Sequence, residues 1–164
     1  FRLPAVAHWP GTIPAGSVSL SRVGSLDLLV TAAGLAGAEL PPDVHLDGQD
    51  ITSVLTEGSS GPSHDDNKPF FYYRGPSLMA ARIGPFKAHY ITHSGFGVEP
   101  FVYHDPPLLF NVDVDPAERS PVANTTAIRA ITAAVTAHNS SLVRGPPQFD
   151  YIDYKAMDCT GLPP

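Results

Sequence analysis

The feature that most constrains the fold is the stretch Phe70 to Thr92, FFYYRGPSLMAARIGPFKAHYIT. Two Gly-Pro pairs, at residues 75–76 and 84–85, divide it into three short runs. The runs are rich in aromatic and apolar residues, which favour strands, while Gly and Pro favour tight turns. The stretch therefore predicts three consecutive antiparallel strands.

A fourth strand and a covering helix are predicted further along the chain. Residues 93–107 are interpreted as a long loop, and LLFNVDV at 108–114 as the fourth strand. A sheet of this size needs a layer packed on one face. An apolar stripe predicts a helix at about 121–142, with Pro121 in its first turn. The stripe consists of Ile128, Ile131, Val135 and Leu142.

The first third of the chain predicts different elements. The apolar run 4–11 is interpreted as a buried strand. A helix is expected at 25–36, with Ser25 as its N-cap and Gly37 at its end. Its predicted apolar face consists of Leu26, Leu29, Val30 and Ala33. One further helical turn is expected at 51–55, and the polar segment 59–69 is the predicted boundary between subdomains.

Charge and apolar runs exclude some classes of protein. The net charge is −6 with ten Lys and Arg, and no basic run is present, which argues against nucleic-acid binding. No apolar stretch reaches about 18 residues, so no membrane span is predicted. The 18 prolines favour short elements and an irregular Pro-rich tail at 145–164. Because the chain begins at Phe1, inside what reads as a fold, we interpret it as a fragment.

The second half of the chain contains three candidate metal ligands, His89, His93 and His104. The spacing of the first two suits zinc on a helix. Their segment reads as a strand, in which residues four apart lie about 13 Å from each other. No Cys or HExxH motif accompanies them, so they are interpreted as polar strand and loop residues. We predict no catalytic residue and no metal ligand in this chain.

The remaining polar residues offer no complete site. Asp65-Asp66 and the pair Asp113/Asp115 lack EF-hand spacing and are interpreted as loop and turn carboxylates. Cys159 lies outside any CxxC motif and is either a free thiol or paired outside this chain. Two sequons begin at Asn124 and Asn139. They are candidate glycosylation sites if the protein is secreted or lysosomal.

Taken in order, five segments resemble the C-terminal third of a sulfatase. They are RLPAVAHWPGTIPAG, SLDLLVTAAGLAGAELP, LDGQDI, FFYYRGPSLMAARIGPFKAHYIT and PPLLFNVDVDPAER, which span about residues 2–120. Within the family, the motifs resemble N-acetylgalactosamine-6-sulfatase and arylsulfatase A most. This resemblance rests on whole motifs and does not follow from periodicity.

The resemblance implies an α/β fold of the alkaline-phosphatase-like superfamily. Residues 1–58 would be the end of its large catalytic domain and 59–69 a linker. Residues 70–144 would be a C-terminal subdomain, a four-stranded antiparallel sheet packed by the helix at about 121–142. The implied localisation is lysosomal or secreted, and assembly into a homo-oligomer is left open.

The implied activity is hydrolysis of sulfate esters, either aryl sulfates or sulfated sugars and glycosaminoglycans. The family uses a formylglycine nucleophile, made from a Cys in a Cys-x-Pro-x-Arg-type motif, and a Ca²⁺ or Mg²⁺ ion. These groups would lie upstream, so this chain alone is expected to be inactive. His104 matches a residue near the mouth of the family's pocket and is a candidate substrate contact; packing against Pro106 or Pro107 is the alternative. Arg2 is interpreted as structural.

Departures from the family pattern leave the substrate open. The loop 93–105 carries no cysteine, the tail carries only Cys159, and no sequon precedes LDG. A second hypothesis is a stand-alone binding or accessory module derived from a sulfatase C-terminal region. A third is a phosphodiesterase or phosphonate hydrolase of the same superfamily.

Overall fold

The computed structural model describes residues 3–58, 65–95 and 99–142. Its elements are α1 (Asp27–Ala36), α2 (Thr52–Glu57), β1 (Phe70–Arg74), β2 (Ser77–Ile83), β3 (Phe86–Thr92), β4 (Val102–Asn111) and α3 (Thr125–Ser141). The strands form one antiparallel sheet in the order β1-β2-β3-β4. The predicted four-stranded sheet with a helix is confirmed.

Both predicted Gly-Pro turns are present, and their glycines explain them. Gly75 has φ 56° and Gly84 has φ 53°, values in the left-handed region that side-chain-bearing residues seldom adopt. The strands pair up to the turns, with Arg74 opposite Ser77 and Ile83 opposite Phe86. Local chain chemistry therefore fixes the order of the first three strands.

The core lies between the sheet and α3. It consists of Ala81, Ala88, Leu109, Ile131 and Val135. The alanines lie on the two central strands, where their small side chains let the helix approach closely. Tyr90 and Thr132 add a hydrogen bond of 3.0 Å between their hydroxyl oxygens. The predicted helical stripe is confirmed at positions 128, 131 and 135, while Leu142 follows the end of the helix.

The fourth strand begins earlier than predicted, so the interpretation of 93–107 as one long loop is wrong. β4 runs from Val102 to Asn111 and includes Pro106 and Pro107. Proline lacks the N–H that a central strand donates to its neighbours. β4 is an edge strand with a single neighbour, and an edge strand tolerates that loss.

Helix α3 starts later than predicted. Its N-cap is Asn124, whose side chain accepts a hydrogen bond of 3.0 Å from the Ala127 N–H. Pro121 precedes the helix and does not lie in its first turn, because Val122 donates its N–H to the Leu109 carbonyl of β4 at 2.8 Å. That extended segment carries the chain from the sheet to the helix.

Helix α1 is confirmed, but it buries a face other than the predicted one. It begins at Asp27 after Leu26, without a side-chain cap from Ser25, and Gly37 ends it with φ 63°. Its buried residues are Asp27 and Thr31. Two of the four residues on the predicted apolar face are solvent-exposed, Leu26 at 62% and Leu29 at 59%, and the other two are half-buried.

Hydrogen bonds to residues 48–51 explain this orientation of α1. Asp27 accepts the backbone N–H of Gly24 at 2.6 Å and of Gln49 at 2.8 Å. Thr31 accepts the N–H of Ile51 at 3.0 Å. At Gly48 an added Cβ would lie 2.2 Å from the Leu26 carbonyl oxygen, so only glycine allows this approach. The polar face of α1 therefore docks here and leaves its leucines outside.

The prediction of a strand at 4–11 is wrong for this chain. Residues 3–9 form no regular element, and Val6 is 96% exposed. An apolar strand needs a neighbour to bond its backbone groups, and none of the described strands lies beside it. No helix in the described residues is long and apolar enough to cross a membrane.

The end of the predicted linker is hydrogen-bonded to the first third of the chain. Arg22 donates from Nη2 to the carbonyl oxygens of Asp66 at 2.8 Å and Lys68 at 2.6 Å. Its backbone N–H donates to the Asp66 carboxylate at 2.8 Å. Residues 59–64 of the predicted linker lie outside the described residues.

Candidate functional site

A group of three ionisable side chains links β3 to the turn that follows β4. Lys87 and His89 lie on the same face of β3 because alternate strand residues point the same way. Glu118 approaches them from the turn, in the left-handed conformation with φ 54°. Such a φ is uncommon for a residue with a side chain, which suggests that surrounding contacts hold it. We call these three residues the Lys87–Glu118–His89 cluster.

Both carboxylate oxygens of Glu118 are engaged. Lys87 Nζ donates to Oε1 at 2.6 Å, and His89 Nε2 bonds Oε2. Lys87 is only 6% exposed, and its Nζ lies 4.7 Å from the centre of the Tyr72 ring. The buried ammonium therefore has a carboxylate on one side and an aromatic face on the other, which is how proteins compensate a buried cation.

The pKa values of the cluster follow from burial and charge. Burial lowers the pKa of His89, and the positive Lys87 lowers it further, against the opposing effect of Glu118. Burial opposes ionisation of Glu118, but its hydrogen bonds and the charges of Lys87 and His89 outweigh this and lower its pKa. At neutral pH His89 is therefore uncharged and donates its Nε2 hydrogen to an ionised Glu118.

This arrangement is more typical of a structural role than of a catalytic one. A general base needs a pKa near the working pH and an unengaged lone pair toward its substrate. Glu118 has a lowered pKa, and both of its oxygens accept hydrogen bonds. No sequence motif connects Lys87 and His89 to Glu118. Their alternation was visible in the sequence, but their partner, 31 residues after Lys87, was not.

The three histidines do not form one group. His93 Nδ1 lies 2.5 Å from Arg74 Nη1, at the other end of β3 from Glu118. His104 Nε2 lies 2.8 Å from the Thr92 hydroxyl, and its charge contributes to lowering the pKa of His89. Among the described residues, no group of three or more His, Cys, Asp or Glu side chains is placed to hold a metal ion.

The two sequons lie at opposite ends of α3. The half-buried Asn124 is its N-cap, and its side-chain oxygen is engaged by Ala127. Asn139 lies near the C-terminal end and is exposed. Cys159 and Arg2 lie outside the described residues.

Known proteins contain a region similar to this chain. Residues 65–162 match the family model for the C-terminal region of aryl-sulfatase. The chain belongs to the sulfatase family. It is 35% identical to an arylsulfatase of Hemicentrotus pulcherrimus and 36% identical to N-acetylgalactosamine-6-sulfatase of Sus scrofa, over 96% of its length in each case.

The match covers only part of these sulfatases. The chain spans about a third of the curated relatives it matches, 33% and 34% of the two above. Its structure superposes on the PsFucS1 sulfatase of Pseudoalteromonas sp. with a TM-score of 0.67 at 23% identity, over 82% of this chain and 29% of that one. That likeness supports the fold. The sheet with α3 thus lies within the segment that matches the C-terminal region of aryl-sulfatase.

Proposed function

We propose that this chain is the C-terminal portion of a sulfatase that hydrolyses sulfate esters. The observation that carries the proposal is the family match at 65–162, together with relatives matched over 96% of this chain but about a third of their own length. The substrate class is an aryl sulfate or a sulfated sugar or glycosaminoglycan. The division at 59–69 between the end of the catalytic domain and the C-terminal subdomain is part of the proposal.

The catalytic groups are proposed to lie upstream of this chain. They are a formylglycine nucleophile and a Ca²⁺ or Mg²⁺ ion, which would polarise the sulfate. The described residues do not fit the metal, since no group of three or more suitable side chains is placed to hold one. We therefore assign no step of the reaction to residues described here.

The exposed apolar surface supports the proposal that a catalytic portion lies upstream of this chain. Val30 is half-buried. The exposed large hydrophobic side chains include Leu3, Val6, Leu26, Leu28, Leu29 and Leu35. They lie on α1 and in the segment before it, and three of them, Val6, Leu26 and Leu29, belong to the predicted buried strand or the predicted apolar helix face. Soluble proteins seldom leave such groups of side chains in water. We propose that the upstream catalytic portion covers them.

His104 is the one described residue proposed to contact substrate. It is half-buried on β4 and bonded to Thr92 through Nε2, which orients its ring. The proposal rests on its match to a family position near the pocket mouth. In the complete enzyme, His104→Ala should raise the KM for a sulfate ester with little change in folding stability.

The test has two parts. The coding sequence upstream of Phe1 should contain a Cys-x-Pro-x-Arg-type motif, and the complete protein should hydrolyse p-nitrophenyl sulfate whereas the isolated 164 residues should not. Turnover by the purified chain alone would contradict the upstream location of the catalytic groups. A start codon close to Phe1, with no such motif, would favour the accessory-module hypothesis.

Localisation is proposed to be lysosomal or secretory, in line with N-acetylgalactosamine-6-sulfatase relatives such as that of Sus scrofa. Asn124 and Asn139 are then glycosylation candidates. Expression through a secretory pathway, followed by glycosidase digestion, should show a mobility shift that Asn124→Gln and Asn139→Gln together abolish. An unchanged mobility after digestion of the native protein would remove this part of the proposal.

A further inference from the structure

A groove lies between the N-terminal part of α3 and the turn that joins β2 to β3. Its volume is about 290 Å³. Its apolar lining consists of Ile83, Pro85, Phe86, Ala127, Ala130 and Ile131. Ile83, Phe86 and Ala127 pack against the core but are only half-buried. The groove therefore leaves apolar surface beside the core in contact with water.

A glycosylation sequon forms part of the wall of this groove. Asn124 and Thr126, the first and third residues of the sequon Asn124-Thr125-Thr126, both line it. Thr126 is exposed and Asn124 is half-buried. A sugar attached to the Asn124 side chain would therefore start at the groove itself.

The capping role of Asn124 leaves its side-chain nitrogen available for modification. Its Oδ1 accepts the Ala127 N–H at 3.0 Å, and no hydrogen bond within the described residues uses its Nδ2. In N-glycosylation, Nδ2 forms a bond to C1 of the sugar and loses one proton, while C1 separates from the diphosphate of a lipid-linked oligosaccharide donor. Because Oδ1 keeps its lone pairs, the modified side chain still caps α3, and the cap fixes the point from which the sugar extends.

The chemistry of the groove suits N-acetylglucosamine, the first sugar of an N-linked glycan. One face of its pyranose ring presents C–H groups, and its acetamide ends in a methyl group. Both can cover Ile83 and Phe86, and removing such apolar surface from water is favourable. The exposed Asn67, which also lines the groove, offers an amide to the sugar hydroxyls. Since the sugar is covalently attached, these contacts are intramolecular, so even weak ones are populated.

We propose that Asn124 carries an N-linked glycan whose first N-acetylglucosamine packs into this groove and stabilises the sheet with α3. The inference rests on the proposed lysosomal or secretory localisation. The second sequon provides a contrast, because Asn139 is exposed near the other end of α3 and is not among the residues that line the groove. A glycan on Asn139 should extend into solvent and leave the stability unchanged.

The test compares the 164-residue chain, secreted from cells that make high-mannose glycans, with its Asn124→Asp variant. Mass spectrometry of glycopeptides measures the occupancy of both sequons, and endoglycosidase H then trims each glycan to one N-acetylglucosamine. Aspartate removes the sequon but is as good an N-cap as asparagine. Relative to the same pair made without glycans in bacteria, the trimmed native chain should melt at least about 2 °C higher than the variant. Asn139→Asp is the matched control and should not change the melting temperature.

A second variant tests the groove without altering the sequon. Ala130 is exposed and lines the groove, so Ala130→Gln should obstruct the sugar and remove at least half of the stabilisation that the glycan gives. Ala137→Gln, at an exposed position of α3 away from the groove, should leave that stabilisation intact.

Two results would overturn the inference. One is an Asn124 that carries no glycan in the secreted chain, whatever the state of Asn139. The other is an occupied Asn124 whose trimmed sugar gives no rise in melting temperature over the bacterial baseline. That second result would leave the secretory localisation and the proposed sulfatase function untouched, since neither depends on where the sugar packs.

Discussion

Replacing Glu118 by glutamine tests the Lys87–Glu118–His89 cluster most directly. Glutamine has nearly the same shape and occupies the same left-handed backbone position, so strain and volume change little. The substitution removes the negative charge and leaves Lys87 with a neutral acceptor. Lys87, only 6% exposed, would then carry a buried charge without a counter-charge.

The expected loss of stability can be estimated from burial. Removing one member of a fully buried ion pair costs about 3–5 kcal/mol. The Glu118 side chain is 25% exposed and that of Lys87 is 7% exposed, so solvent screens part of the effect. We expect Glu118→Gln to lower the free energy of unfolding by about 2–3 kcal/mol. With a urea m-value of about 1–3 kcal/mol/M, the midpoint should fall by about 1 M.

Urea unfolding at pH 7, followed by far-UV circular dichroism at low protein concentration, measures this loss. Glu39→Gln, a substitution of an exposed carboxylate, should change the stability by less than about 0.5 kcal/mol. Lys87→Met combined with Glu118→Gln should cost less than the sum of the single changes, because the double variant buries no unpaired charge. A loss below about 0.5 kcal/mol for Glu118→Gln, or strict additivity in the cycle, would refute the reasoning.

Three further predictions address the core, the pH dependence and the exposed surface. Ile131 is 1% exposed, so Ile131→Ala should cost about 3–4 kcal/mol in urea unfolding, whereas Val114→Ala, at a position 79% exposed, should cost less than about 0.5 kcal/mol. Because burial and Lys87 lower the pKa of His89, the unfolded chain takes up protons first as the pH falls through about 6.5. Stability should therefore decrease from pH 7.5 to 5.5, and His89→Gln should make that slope shallower; an unchanged slope would mean that His89 does not titrate as argued. The lowered pKa of Glu118 adds a further loss as the pH falls through and below its ordinary value, about 4.3. Finally, light scattering of the isolated chain should show association that grows with concentration. Leu26→Ser with Leu29→Ser should reduce it, since Leu29 is exposed on α1 and Leu26 is exposed directly before it. A strictly monomeric native chain would contradict this.

Much of the sheet could be predicted from local sequence. The Gly-Pro pairs at 75–76 and 84–85 require turns, and the aromatic and apolar runs between them favour strands. The end of α1 at Gly37 could also be predicted from nearby residues, because a glycine in the left-handed conformation commonly ends a helix. The family was visible because whole motifs occur in a fixed order.

The candidate site could not be predicted in the same way. Strand alternation puts Lys87 and His89 on one face of β3, but Glu118 reaches them only through the turn after β4. Arg22 likewise bonds Asp66 and Lys68, which lie more than 40 residues further along the chain. No local pattern encodes such contacts, because they depend on how the chain returns on itself.

The sequence by itself determined the turns, the strand order and the apolar stripe of α3, because each depends on residues close together in the chain. Only the tertiary structure decided which face of α1 is buried, since Asp27 and Thr31 dock on residues 48–51 through hydrogen bonds that hydrophobic periodicity does not reveal. It also decided that β4 begins at Val102, because prolines are tolerated there only at the edge of a sheet. Periodicity reports where a side chain points, and the neighbour it meets is set by the rest of the fold.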